Sequence, residues 1–265
     1  DISEPTQVRT ALHDYRPQEI YYLAAYHQSA TQEPLSNTLA FRESFKVHAE
    51  YPLHFLEEIR RSFLECRFFY ASSSHIFGGT HSLVQTELSP VAPNDFYGMS
   101  KLAGLELCQY YRSRYRLFVS AGILYNHESH LRQPKYVSAF ITEGAINIKR
   151  GTQTSLELGD LSATVDWGYA PDFVDAMHRI LQLPKSDDFI VSTGKAHTVL
   201  DYVKVTFGAL GLNWQNYVRE NPGLLKKPRK TLVGDSTKLR DLTGWKPTLG
   251  FEEMIHTILK EKGAL

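Results

Sequence analysis

Tyr97 and Lys101 stand four residues apart in Phe96-Tyr97-Gly98-Met99-Ser100-Lys101. On a helix that spacing puts both side chains on one face, where an ammonium can hold a phenol near its ionised form. Upstream, the apolar run Cys66-Arg67-Phe68-Phe69-Tyr70-Ala71 ends in Ser72-Ser73-Ser74-His75. A Tyr-Lys pair fed by a serine-tipped strand suits interconversion of an alcohol and a ketone on a nicotinamide. The Tyr-x-x-x-Lys spacing alone is weak, because amphipathic helices also carry it as a tyrosine beside a solvated lysine.

The order of the surrounding segments strengthens the reading. Glu19-Ile20-Tyr21-Tyr22-Leu23-Ala24-Ala25 and Leu117 through Tyr125 read as buried strands with helical stretches between them. Strands alternating with helices imply a parallel sheet whose ligands lie beyond the strands' carboxyl ends. Ala24, Ala25, the serines at 72 to 74 and Asn126-His127-Glu128 all fall at such ends. Farther on, Asp188 to Gly194 is a strand with a turn, and Asp172 to Leu183 and Thr198 to Leu210 have helical spacing. A third helix begins after a cap at Asp235 or Ser236, and the last at Phe251.

Composition narrows the classes. With 42% hydrophobic residues, 265 residues can bury a full core, enough for one large α/β unit and a smaller C-terminal lobe. Lys+Arg and Asp+Glu balance at 29 each, so no overall field recruits nucleic acid or anionic lipid. Cys66 and Cys108, the two cysteines, read as reduced thiols in a cytoplasmic protein, and no apolar run is long enough to span a bilayer. Eleven histidines invite a metal reading, but His75, His127 and His130 lack a ligand spacing, and no metal is expected.

Taken together, several motifs resemble the extended short-chain dehydrogenase/reductases that modify nucleotide sugars, most closely the GDP-mannose 4,6-dehydratases. They are Glu19 through Ala25, Ala71-Ser72-Ser73-Ser74, Tyr97-Gly98-Met99-Ser100-Lys101-Leu102, Gly122 through Ser129 with its Asn126-His127-Glu128-Ser129, Asp166-Trp167-Gly168-Tyr169-Ala170 and Gly244-Trp245-Lys246-Pro247. They occur in family order and at nearly family spacing. The resemblance implies a Rossmann-like doubly wound parallel sheet, its remainder in residues 1–130, and a substrate-binding lobe mostly in 131–265. It also implies NADP, or NAD, a nucleotide-diphosphate sugar as substrate and a homo-oligomer. Tyr97, Lys101 and Ser73 would carry out C4 oxidation. Asp1, Ile2, Leu23, Ala24, Ala25, His27, His127 and Arg132, with Tyr97 and Lys101, would line the cofactor. Asn126 and Glu128 would orient the hexose.

Three departures bear on that expectation. The Gly-x-x-Gly-x-x-Gly turn that cradles pyrophosphate in the family does not occur here, and the chain begins with Asp1, so an upstream segment is expected. His75 stands where the dehydratases carry the glutamate that removes the C5 proton. Neutral imidazole is a general base near pH 7, and a substitution without catalytic purpose is the alternative. Val165 and Phe140 replace an arginine and a lysine usual at the diphosphate. Either the sugar nucleotide differs, or the cluster Lys226 to Lys230, with Lys226 and Arg229 as substrate contacts, supplies the charge; a bare charge run is more often a solvated surface loop. A 4-epimerase or 4-ketoreductase would use the same Tyr97, Lys101 and Ser73 without a C5 base. A non-catalytic relative would need neither.

Overall fold

A computed structural model of the protein describes residues 1–26, 36–62, 65–224 and 231–265. Its central sheet is built from β1 (Glu19–Tyr22), β2 (Arg67–Ser73), β4 (Val119–Leu124) and β8 (Asp188–Val191), all parallel and in the order β1-β2-β4-β8. Continuous runs such as Phe68-Phe69-Tyr70 and Gly122-Ile123-Leu124 are buried throughout, as strands covered on both faces must be. The register sets Ser73 level with Leu124, so the serine end of β2 and the start of Asn126-His127-Glu128 open on the same edge. The two-residue strand β3 (Val84–Gln85) lies between β2 and β4 in the chain and pairs with β11 (Val233–Gly234).

Helix α1 (Pro5–Tyr15) precedes β1, and α2 (Asn37–Phe45) runs through a π-helical turn, Lys46–Glu50, into α3 (Tyr51–Ser62). The 20-residue α4 (Phe96–Tyr115) packs on β2 and β4. Helix α6 (Ala170–Gln182) also packs on those two strands, and α8 (Thr237–Thr243) packs on α6 and β8. Of the apolar stripe Phe173, Val174, Met177, Ile180 and Leu181 that the spacing implies, four residues are core and Val174 is exposed instead.

A second core gathers α5 (Val137–Lys149), β6 (Leu156–Leu158), β7 (Thr164–Tyr169), α7 (Val199–Ala209), β10 (Val218–Glu220) and α9 (Phe251–Glu261) around Trp167, Tyr202 and Phe207. Here β6 pairs with β10, while β7 lies between parallel β5 (Asn126–Glu128) and antiparallel β9 (Ala196–Thr198).

The parallel sheet with helices on both faces is the α/β architecture that the strand and helix pattern implies. Its four strands step across in one direction, so the reversal of a doubly wound order does not fall among the described residues. Some boundaries differ from the sequence reading. β1 ends at Tyr22, because Leu23 to Tyr26 leaves the sheet toward His48. Helix α6 starts at Ala170, with Pro171 in its first turn, which frees the Asp172 carboxylate to accept from Thr248. Before α8, Ser236 is the cap residue by position, but its hydroxyl donates to Ser192 O; Asp235 Oδ1 accepts the Thr237 amide instead.

Gly104 sets how closely α4 approaches the sheet. A Cβ there would run into the His48 carbonyl oxygen and the Tyr70 hydroxyl, which are themselves hydrogen-bonded at 2.7 Å. Gly104→Ala is expected to destabilise the fold by about 1 to 3 kcal/mol through overpacking. A urea-unfolding midpoint checks this. Adding Tyr70→Phe should not restore it, since the backbone carbonyl remains in the way.

Candidate active site

Ser73 closes β2, and its Oγ accepts the His75 amide at 3.3 Å, starting a short 3-10 turn over Ser74–Phe77. The Ser73 hydroxyl also hydrogen-bonds the Tyr97 side chain. Tyr97 sits in the first turn of α4, and Lys101 follows one turn later on the same face. Lys101 is fully enclosed: Nζ donates to Ala71 O at 2.8 Å and lies 5.8 Å from the Tyr97 ring centre and 5.4 Å from that of Tyr70. The His75 ring stands edge-on to Tyr97, with centres 5.2 Å apart, and its Nδ1 lies 3.1 Å from Asp95 Oδ2. Ser73, His75, Tyr97 and Lys101 thus converge on the carboxyl edge of the sheet.

The electrostatics depart from the simple ammonium–phenolate picture. Burial pushes the Tyr97 phenol up to about 12, offset in part by the Ser73 hydrogen bond and more weakly by the Arg132 charge. Burial alone brings Lys101 down to about 7. In a low-dielectric enclosure both groups favour their neutral forms. The charge that favours the phenolate from the protein side is therefore Arg132, with Ser73 as hydrogen-bond partner.

Arg132 lies flat on the Tyr136 ring, 3.7 Å from its centre, with Nε 3.4 Å from Glu128 Oε2. Glu128 is buried and accepts from Ser138 Oγ at 2.7 Å; burial raises its pKa. Both contacts fall on Oε2, which anchors Arg132 and α5; orienting a hexose stays an expectation for this residue. Asn126, on the same short strand, is exposed and available for that task. His127 stacks on Phe173 at 4.8 Å and donates from Nδ1 to Tyr125 O; burial lowers it to about 4, so it is neutral at pH 7.

Other residues expected at a cofactor are dispersed. The Asp1 ammonium donates to Gln7, while Ile2 packs on the main core and offers its carbonyl to His54. Leu23 and Ala25 are exposed, and Ala24 packs against the core. His27, Lys226 and Arg229 lie outside the described residues. Phe140 is on α5, 42% exposed, and Val165 on β7 pairs in register with His197.

Motif reading missed a buried network behind Tyr97. His48, in the π-helical turn, stands edge-on to Tyr97 at 5.1 Å, opposite the chain's other site histidine in sequence but against the same ring. Its Nε2 accepts the Tyr26 amide at 3.0 Å, so Nδ1 donates to Ser100 Oγ at 2.7 Å, and Ser100 donates to Tyr97 O at 3.0 Å. Nothing in the sequence marks His48. Asp95, also missed, had a signal in its position before the helix: its Oδ1 caps α4 by accepting the Gly98 amide at 2.6 Å. Among the described residues no group of three or more His, Cys, Asp or Glu could hold a metal ion, and no helix is long and apolar enough to cross a membrane.

Lys101 has a measurable consequence for stability. Its folded pKa lies below its unfolded value, so between about pH 7 and 10.5 the unfolded chain binds the extra proton and stability rises with pH. Urea unfolding should show stability of Lys101→Met varying less with pH, the difference approaching ~1.4 kcal/mol per pH unit. Parallel stability–pH curves for the two proteins would show that Lys101 is solvated.

The GDP-mannose 4,6 dehydratase family model matches residues 1–258. GDP-mannose 4,6 dehydratase 2 of Arabidopsis thaliana is 36% identical over 266 residues, covering 98% of this chain and 70% of the relative. The Homo sapiens GDP-mannose 4,6 dehydratase is 29% identical, covering 98% and 74%. Among solved structures, RMD from Pseudomonas aeruginosa complexed with NADPH superposes with a TM-score of 0.85 at 21% identity, covering 98% of this chain and 86% of that one. The dTDP-glucose 4,6-dehydratase of Bacillus anthracis in complex with NAD gives 0.82 at 18% identity, covering 99% and 78%. With nearly its whole length matched by the family model and a relative above 30% identity, the chain belongs to the GDP-mannose 4,6-dehydratase family.

Proposed function

We propose that the protein dehydrates a GDP-hexose, GDP-mannose first among them, to its 4-keto-6-deoxy product, with Ser73, His75, Tyr97 and Lys101 as the reacting centre. The observation that carries this reading is the convergence of these four side chains at the carboxyl ends of β2 and α4's first turns. Lys101 supports a nicotinamide-ribose site: its amine carries two N–H donors when neutral and three when protonated, and among the described residues Nζ donates to Ala71 O. A ribose diol would provide two more oxygens. Tyr97 and Lys101 would hold that end of NADP, and Arg132, whose charge is felt at Tyr97, would face a phosphate. When bound, the cofactor would supply the hydride acceptor for C4 and the hydride donor for C6.

The side chains supply the proton chemistry. Tyr97 takes the C4 hydroxyl proton, and Ser73 hydrogen-bonds the oxygen as its charge develops. The 4-ketone acidifies C5, His75 removes that proton, and the C6 hydroxyl departs as water; once hydride reaches C6, C5 takes a proton from solvent by way of His75, and Tyr97 releases the one it took. Glu128 holds Arg132 over Tyr136, and Asn126 offers an amide to sugar hydroxyls.

Turnover of GDP-mannose by the full-length protein, followed by product analysis, tests the reading. A 4-keto-6-deoxy sugar is the expected product; a C4 epimer would replace the dehydratase reading by an epimerase. Tyr97→Phe should lower turnover by roughly two to four powers of ten and remove transient nicotinamide reduction as well. His75→Ala should lose dehydration by about the same factor while keeping that reduction. Unchanged turnover in His75→Ala would make His75 only a wall of the site.

A further inference from the structure

We infer that Asp95 is a positioning residue for the C5 proton transfer, forming with His75 a carboxylate–imidazole dyad that does the work of a single carboxylate base. The inference rests on the dehydratase reading above and adds to it a residue and a mechanism.

Its basis is the division of labour between the two oxygens of one side chain. Oδ1 accepts the Gly98 amide at 2.6 Å and caps α4. Oδ2 is 3.1 Å from His75 Nδ1. A cap needs one acceptor, and serine, threonine or asparagine would supply it equally well. The second oxygen bears on the imidazole. The main chain holds the same arrangement: the His75 amide donates to Ser73 Oγ, and a Cβ on Gly98 would stand 2.5 Å from His75 O, so only glycine lets the helix start this close. The imidazole is thereby fixed edge-on to Tyr97, beside the group assigned to C4.

An ionised carboxylate accepts and cannot donate, so it keeps the ring proton on Nδ1 and the basic lone pair on Nε2. The step balances within the substrate and this side chain. The C5–H proton moves to Nε2 as its electron pair forms the C5–C6 double bond. The C6–O bond breaks, and the departing hydroxide takes the proton from Nε2 to leave as water. Between these events His75 is an imidazolium, which the Asp95 charge stabilises.

Asparagine at position 95 separates capping from proton placement. With Oδ1 on the Gly98 amide, the Nδ2 amide would face His75 Nδ1 and donate to it, moving the ring proton to Nε2. Asp95→Asn is therefore expected to keep its thermal midpoint and its KM for GDP-mannose, keep transient nicotinamide reduction, and lose about 10²- to 10⁴-fold in kcat. Deuterium uptake at C5 from D₂O should fall by the same factor. Asp95→Ser, which retains a capping oxygen too short to reach His75, must also lose kcat, and it guards against an asparagine that flips and uncaps the helix. In a His75→Glu background, where the base has no tautomer to set, adding Asp95→Asn should change kcat by less than about threefold.

Asp95→Asn and Asp95→Ser with wild-type kcat and C5 exchange would overturn the dyad while leaving dehydration by the wild type intact. An equal loss from Asp95→Asn in the His75→Glu background would also overturn it, by showing that Asp95 acts independently of the imidazole. A wild-type protein that neither reduces its nicotinamide nor forms the ketone would instead overturn the dehydratase reading, and the dyad with it.

Discussion

The first turn of α4 lies directly against the end of β2, and the rest of the site depends on that contact. Three features secure it. Gly98 lets the helix meet the His75 carbonyl, Asp95 caps the helix while reaching His75, and Lys101 threads back to Ala71 O. Two of these bonds, from the Gly98 amide to Asp95 and from Lys101 to Ala71 O, satisfy backbone groups, so site geometry and polar satisfaction are partly the same bonds. Gly104, a turn and a half along α4, permits the same closeness where the helix passes Tyr70 and the π-helical turn. A helix standing farther off would separate Tyr97 from Ser73 and uncap its own first turn.

That closeness also governs charge. Enclosing Lys101 and Tyr97 puts both in surroundings that disfavour ions, so neither can ionise the other at no cost. What remains to bias the phenol is Ser73 and, from the neighbouring lobe, Arg132. Arg132 is held by an aromatic face and a buried carboxylate that is itself bonded to α5. The lobe built on the second core is thus electrically coupled to Tyr97. Glu261 on α9 fixes the same segment from outside, accepting from Tyr169 and pairing with His130.

Much of this was legible from residue order. Buried runs such as Phe68 to Ala71 can satisfy both faces only inside a parallel sheet, so strand positions and the carboxyl edge follow from pattern alone. The Tyr97–Lys101 spacing likewise fixes a shared helix face. Contacts made across distant segments were not legible: His48 reaches Ser100 over 52 positions and Asp95 reaches His75 over 20, and no periodicity records either. The partners of Glu128 were hidden for a related reason: a carboxylate at a strand end looks available, and only the packing of Ser138 and Arg132 around it shows that Oε2 is engaged.

The same reasoning constrains recognition of the diphosphate. Val165 lies on β7 opposite His197, whose ring stacks on Phe251 at 3.9 Å and whose pKa burial lowers. A stacked, neutral imidazole beside an isopropyl group does not replace a guanidinium, which brings a permanent charge and a two-pronged set of donors. Phe140 on α5 adds an apolar ring where a lysine is usual in the family. Charge for the two phosphates must therefore come from groups off this surface, and Lys226 to Lys230 provide the densest cationic stretch in the sequence. Val165 on β7 and Phe140 on α5 stand on elements other than α4 and β2, which fix Tyr97, so the side chains of this surface can change without moving that residue.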